Sequence, residues 1–293
     1  MKKVDEKSLG GTGRDRRDAF KAIGAGLLGA AALVAAPDEA HAREKKRDRK
    51  GRKGQTPRWG MVIDIRRCIG CRGCTVSCKA EFDVPLGNFN CVVHQVEVGK
   101  YPNAKKVFLP VLCNHCSGKD GKPPPCVQEC PNKSMKRATY YAPDGKKHRY
   151  KIGATYQRPD GAILLDTEFC TGCGKCIEAC PYGVRWFHPS VKAPLDPSKQ
   201  AVGKCNLCMH RVDKGLLPAC VNTCQGKARI FGDLNDPSSE ISKLVKEFKL
   251  DENRDRTTLL PEEETVPNVF YIDPDNVIGQ INTKDKEFKD EVF

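Results

Sequence analysis

The stretch CTGCGKCIEACP, residues 170–181, decides how the rest of the chain is read. Cys170, Cys173 and Cys176 are spaced by two residues each, Cys180 follows after three more, and Pro181 closes the run. The same arrangement returns on either side. Upstream lie Cys113-x2-Cys116-x9-Cys126-x3-Cys130, again followed by proline, and, further up, Cys68-x2-Cys71-x2-Cys74-x3-Cys78. Downstream lie Cys205-x2-Cys208-x11-Cys220-x3-Cys224. Sixteen of the 17 cysteines fall into these four quartets.

The spacing has a physical reason. Two residues between cysteines let a tight loop wrap one side of a cubane cluster while its amide N–H groups turn towards the sulfides. A fourth cysteine one helical turn further on faces away from that cube and ligates the other cluster of a pair. The second and fourth quartets are the same device with a longer loop before the third ligand. Zinc sites close in two cysteine pairs separated by a dozen or more residues and do not call for this third and fourth cysteine. A disulfide framework does not call for it either. The pattern therefore implies four [4Fe–4S] clusters, with Cys68, Cys71, Cys74, Cys78, Cys113, Cys116, Cys126, Cys130, Cys170, Cys173, Cys176, Cys180, Cys205, Cys208, Cys220 and Cys224 as the ligands.

Composition agrees. The 293 residues are 39% hydrophobic and only 7% aromatic, too little for a large conventional core, so order must owe much to bound metal. The formal charge of +13 is unevenly spread: residues 43–58 hold nine Lys/Arg against two acids, with no aromatic residue before Trp59. That run reads as a solvated linker, with contact to anionic headgroups or an acidic partner as its second reading. An oxidised cluster with four thiolates carries about −2, so four remove about 8 units and leave the folded body near neutral. Nucleic-acid binding is not expected, because arginines and aromatics are not interleaved. Cys91, beside Val92 and Val93, reads as a buried strand cysteine. His115 reads as a loop residue beside the ligands, and His94, His188 and His210 carry no assignment.

Local signals are short. Residues 60–65 read as a strand leading into the first quartet, and 153–157 with 162–166 as a hairpin feeding the third. Helices are expected to begin near Cys74, Val127, Cys176 and Val221, each carrying the last cysteine of its quartet. Residues 241–248 have helical spacing, and the acidic remainder to Phe293 reads as an extended arm. The fold class expected is α+β: two ferredoxin-like domains, each with a pair of clusters.

The first 42 residues read as an address. Arg16-Arg17-Asp18-Ala19-Phe20-Lys21, a mild apolar stretch from Ala22 to Ala36, and Ala40-His41-Ala42 resemble a twin-arginine export signal with its cleavage site. Asp15 stands where Ser or Thr is usual, and Phe20 comes one residue late. Ala22–Ala36 is too short for a stable span. A periplasmic protein is implied, exported already folded, which shields thiols on iron from an oxidising compartment.

Residues 59–79 (WGMVIDIRRCIGCRGCTVSCK), 112–116, 153–166 and 204–229 (KCNLCMHRVDKGLLPACVNTCQGKAR) resemble the four-cluster iron–sulfur (beta) subunits of molybdopterin oxidoreductases, the tetrathionate and polysulfide reductase type above all. The resemblance covers roughly residues 58–235. It implies crosswise ligation: Cys68, Cys71 and Cys74 with Cys224; Cys205, Cys208 and Cys220 with Cys78; Cys113, Cys116 and Cys126 with Cys180; Cys170, Cys173 and Cys176 with Cys130. It implies an outer domain of residues 59–110 and 200–235 with an inserted domain, 111–199, between its halves, and a C-terminal helix and arm over 236–293. Two features depart from the family pattern: a long loop at 117–125 and an insertion at 132–152, read as an extra surface hairpin or docking element.

The role implied is electron relay between an integral membrane quinone-reactive subunit and a catalytic molybdopterin subunit, the chain being membrane-associated through its partner. No acid–base pair, nucleophile or open metal position points to a small-molecule substrate of its own. The alternative is a molybdenum-free, quinone-linked complex of sulfur or sulfate metabolism, which uses similar subunits. A self-contained catalyst with an open iron would need a quartet lacking a cysteine, and all four are complete.

Overall fold

The computed structural model describes residues 56–142 and 145–283. Residues 1–42, read from the sequence as an export signal, and most of the basic run 43–58 lie outside the described residues. The fold is organised around β1 (Trp59–Asp64), whose apolar run is buried on both faces. It is followed by α1 (Gly73–Phe82), the antiparallel pair β2 (Cys91–Val98) and β3 (Lys105–Leu112), and α2 (Pro125–Gln128). Two further hairpins come next, β4 (Lys136–Tyr141) with β5 (Lys147–Ile152), and β6 (Thr155–Gln157) with β7 (Ile163–Leu165). Then α3 (Lys175–Glu178) precedes the long pair β8 (Arg185–Ala193) and β9 (Asp196–Lys204). The chain continues through α4 (Met209–Val212), α5 (Ala219–Asn222), β10 (Arg229–Asp233), α6 (Glu240–Glu247), α7 (Arg254–Thr257), β11 (Val269–Ile272) and α8 (Val277–Thr283). The class is α+β, with small sheets and short helices.

β1 is central in its three-stranded sheet, antiparallel to β10 and parallel to β11. Alternation along β1 divides the core. Met61 and Ile63 point into a cluster that includes Cys74, Cys78, Cys91, Cys113, Cys205 and Cys220. Val62 points the other way, onto Ile230, Ile241, Leu250, Phe270 and Ile272. One face of the sheet therefore packs against cysteine-bearing segments and the other against α6 and the C-terminal segment.

Arg158 ties three elements together. Its guanidinium donates to Asp213, just past α4, at 2.7 and 2.8 Å, and to Asp160 in the β6–β7 turn at 2.5–3.0 Å. Asp160 is fully buried and also accepts from the Trp59 indole at 2.9 Å. The pair is thus bidentate and shared, the arrangement under which a buried charge is tolerated.

Two expectations are corrected. Only α1 contains the fourth cysteine of its quartet, Cys78. α2, α3 and α5 are single turns holding Cys126, Cys176 and Cys220, and each stops before Cys130, Cys180 or Cys224. Pro131 and Pro181 follow two of these and disfavour helix in the residue before them. The C-terminal segment is not an extended arm over its described part. After α6 it turns back, and all four residues of β11 are buried beside β1. The insertion at 132–152 forms the β4–β5 hairpin, with lysine and arginine side chains exposed along it. No helix among the described residues is long and apolar enough to cross a membrane.

Candidate functional site

The four CxxC loops share one backbone device. The second residue after the leading cysteine has positive φ in every case: Gly70 at 69°, His115 at 44°, Gly172 at 62° and Leu207 at 54°. Glycine takes this conformation freely, whereas His115 and Leu207 hold it at a steric cost. The left-handed residue turns amide N–H groups inward. Gly172 N–H donates to Cys170 Sγ and Leu207 N–H to Cys205 Sγ, both at 3.3 Å. Ala228 N–H does the same for Cys224, also at 3.3 Å.

These loops bring the cysteines together in four sets. Cys68, Cys71, Cys74 and Cys224 line a cavity of about 360 Å³, with Arg229 and Pro110 in its wall; this is site I. The remaining four are labelled site II: Cys78 lies within electrostatic reach of Cys208, Cys220 and Arg229, and Cys205 within reach of Cys78, Cys220 and also Cys113. Cys113, Cys116, Cys126 and Cys180 line a cavity of about 340 Å³ with Asn114, Tyr182 and Arg185, site III. Cys130, Cys170, Cys173 and Cys176 line one of about 310 Å³ with Thr155 and Val202, site IV. Each set thus draws three cysteines from one quartet and the fourth from another.

The surroundings suit an anionic, thiolate-bound group. Burial pushes the Cys78 thiol up to about 12 and the Cys180 and Cys208 thiols up to about 11, so none would ionise at neutral pH unless coordinated. Yet basic side chains lie among them: the Arg185 and Arg229 guanidiniums stay charged, whereas burial holds the Lys204 ammonium below its usual pKa. Arg185, Lys204 and Arg229 are each at most 4% exposed. None of the three belongs to an ion pair with a carboxylate among the described residues. Their charged neighbours are mainly cysteines: Cys126, Cys176, Cys113 and Cys180 for Arg185, and Cys91, Cys220 and Cys74, with the Tyr271 phenol, for Arg229. Lys204 lies between Cys113 and Cys205 and donates from Nζ to the Ile163 and Cys205 carbonyls. Buried cations without carboxylates require some other anion, and iron-bound thiolates supply it. Unpartnered donors at site III, Arg185 Nη2 and Asn114 Nδ2, fit the same group.

Two thiols already respond to these charges. Burial pushes the Cys113 thiol up, but His115, Lys204 and Arg185 draw it down to about 5. Cys74 is drawn down to about 5, first by a hydrogen bond with Cys91 and further by Arg229, against its burial. Cys91 belongs to none of the four sets. It is a buried strand cysteine, as its sequence context implies, and it accepts from Arg229 Nη2 at 2.9 Å. His115 is buried in its loop with Nδ1 accepting from Ile163 N–H at 3.1 Å.

Sequence reasoning missed the three cations. The signal was present: Arg185 and Arg229 each stand five residues beyond the fourth cysteine of their quartets, and Lys204 directly precedes Cys205.

Residues 104–234 match the model of the 4Fe-4S dicluster domain family. The chain is 40% identical over 222 residues to a subunit of the tetrathionate reductase of Salmonella typhimurium, covering 75% of this chain and 74% of that one. It is 34% identical over 260 residues to the arsenate respiratory reductase iron-sulfur subunit of a Shewanella species, covering 73% and 96%. It is 32% identical over 254 residues to the Hdr-like menaquinol oxidoreductase iron-sulfur subunit 1 of Archaeoglobus fulgidus, covering 73% and 82%.

Proposed function

Because the chain belongs to the electron-transfer iron–sulfur subunits of the molybdopterin oxidoreductases, we propose that it relays electrons through four [4Fe–4S] clusters held at sites I to IV. The carrying observation is the gathering of sixteen cysteines into four sets of four, three of them lining cavities, with the buried Arg185 and Arg229 guanidiniums among them and no carboxylate paired to either. The ligands are those of the crosswise scheme: Cys68, Cys71, Cys74 and Cys224; Cys205, Cys208, Cys220 and Cys78; Cys113, Cys116, Cys126 and Cys180; Cys170, Cys173, Cys176 and Cys130. Each bound cluster would supply a one-electron centre. The chain's own part is to hold it, turn amide N–H groups onto its sulfurs and limit its access to water.

Two ferredoxin-like domains follow from this reading. Sites I and II draw only on residues 68–78 and 205–224, and sites III and IV only on 113–180. That division supports an outer domain, residues 59–110 and 200–235, interrupted by an inserted one, residues 111–199. Electrons would pass between a membrane quinone-reactive subunit and a catalytic molybdopterin subunit, in the periplasm after twin-arginine export. Likeness to subunits of tetrathionate and arsenate reductases supports the catalytic partner. A second reading, a molybdenum-free quinone-linked complex, draws support from likeness to the menaquinol oxidoreductase subunit.

Metal analysis tests the proposal. Protein purified without oxygen should carry about 16 iron and about 16 acid-labile sulfide per chain, four of each for every cubane. Zinc with little iron would overturn it.

A further inference from the structure

Arg185 and Arg229 occupy equivalent places. Each is the first residue of a strand, β8 or β10. Each lies five residues beyond a cysteine, Cys180 or Cys224, that is the fourth member of the site whose wall the arginine lines. The two segments between, PYGV and QGKA, share no residue at matching positions, so the arginine recurs where its surroundings do not.

Each guanidinium also stands between two sites. The cysteines nearest in charge to Arg185 include Cys113, Cys126 and Cys180 of site III and Cys176 of site IV. Those nearest to Arg229 include Cys74 of site I and Cys220 of site II. Their hydrogen bonds leave the charge uncancelled. Arg185 Nη1 donates to the neutral Thr155 hydroxyl at 3.3 Å, and its Nη2 has no partner. Arg229 donates to Cys91 Sγ at 2.9 Å and faces Met61 Sδ at 3.5 Å. A guanidinium remains charged at any accessible pH, so both are permanent charges in a region from which water is excluded.

We propose that Arg185 and Arg229 are paired potential-setting residues, one between sites III and IV and the other between sites I and II, each raising the reduction potentials of the two clusters it separates. The inference rests on the proposed occupancy of the four sites. One-electron reduction of a cluster breaks no bond and adds one negative charge. A fixed positive charge alongside stabilises the reduced form more than the oxidised one, and the potential rises. Because each arginine is shared, its removal should move two clusters together and leave the other pair in place.

The test uses the full exported chain with its clusters, purified without oxygen, as wild type, Arg185→Gln, Arg185→Lys and Arg229→Gln. Iron and sulfide are measured first, and midpoint potentials then follow from redox titration read by electron paramagnetic resonance. In Arg185→Gln, two of the four midpoints should fall by at least a tenfold change in the reduction equilibrium, 59 mV for one electron. Arg229→Gln should lower the other two. Arg185→Lys, which keeps the charge, should recover most of the loss. Loss of clusters from Arg185→Gln but not from Arg185→Lys would make the charge a requirement for assembly rather than a setting of potential, and would overturn the proposal. Full clusters with unmoved midpoints, equal shifts in Gln and Lys, or cluster loss in both would overturn it. A wild type without four clusters would defeat the reading of the sites, a result separate from unmoved midpoints on a fully loaded protein.

Discussion

Cys74 and Cys78 lie one turn apart on the same helix, yet they face different groups of cysteines. Cys74 lines the cavity shared with Cys68, Cys71 and Cys224, whereas the cysteines in electrostatic reach of Cys78 are Cys208 and Cys220, with Arg229 beside them. Four residues of helix advance about 6 Å along the axis. The helix therefore stands between the two groups and contributes to both.

This arrangement makes the fourth cysteines diagnostic. Under crosswise ligation, Cys130→Ser should perturb the cluster held by Cys170, Cys173 and Cys176. Serine is a harder, poorer ligand for iron, so that cluster should change potential or fall to a [3Fe–4S] form. Resonance spectra of Cys130→Ser should show the same lesion as Cys170→Ser. A lesion shared with Cys113→Ser would refute the wiring.

The Arg158–Asp160 pair should matter for stability alone. Asp160 is fully buried, and Arg158→Met would leave it with only the Trp59 indole and local amides. Breaking a buried pair on one side costs about 3–5 kcal/mol. Chemical denaturation of the cluster-loaded protein should show a loss of that size, with cluster spectra unchanged below the transition.

The C-terminal segment is core by the same standard. Phe270 is 1% exposed and packs with Val62, Ile230 and Ile272. Phe270→Ala should cost about 3–5 kcal/mol. Unfolding curves that match those of the wild type would show that β11 does not pack as described.

That segment also shows where sequence reading stopped. The cysteine quartets were plain because ligand spacing is local chemistry, and β1 was plain because its apolar run is continuous. VFYI, residues 269–272, is apolar too, but four residues set among Pro, Asp and Glu resemble a loop until a distant strand is there to pair with them. The long β8–β9 pair was hidden for a different reason: with prolines and lysines in it, its ladder is broken by a register shift between Phe187 and Lys192. At the sites, spacing named the ligands but not Arg185, Lys204 or Arg229. A charge reads as surface until the fold buries it.

Export should depend on the arginine pair. Arg16→Lys combined with Arg17→Lys should leave a cytoplasmic precursor that retains residues 1–42, while the wild type matures to Arg43. Fractionation and N-terminal sequencing decide it, and normal periplasmic accumulation of the double variant would exclude the twin-arginine route.

The central claim is a relay of four one-electron centres, and the number of electrons the chain takes up tests it most directly. Anaerobic reductive titration of the fully loaded protein, followed by absorbance and resonance spectra, should end at about four electrons per chain, one for each [4Fe–4S] cluster. Reduced spectra should show interacting clusters. An end point of about two electrons on protein with full iron, or no uptake by such protein, would contradict the account.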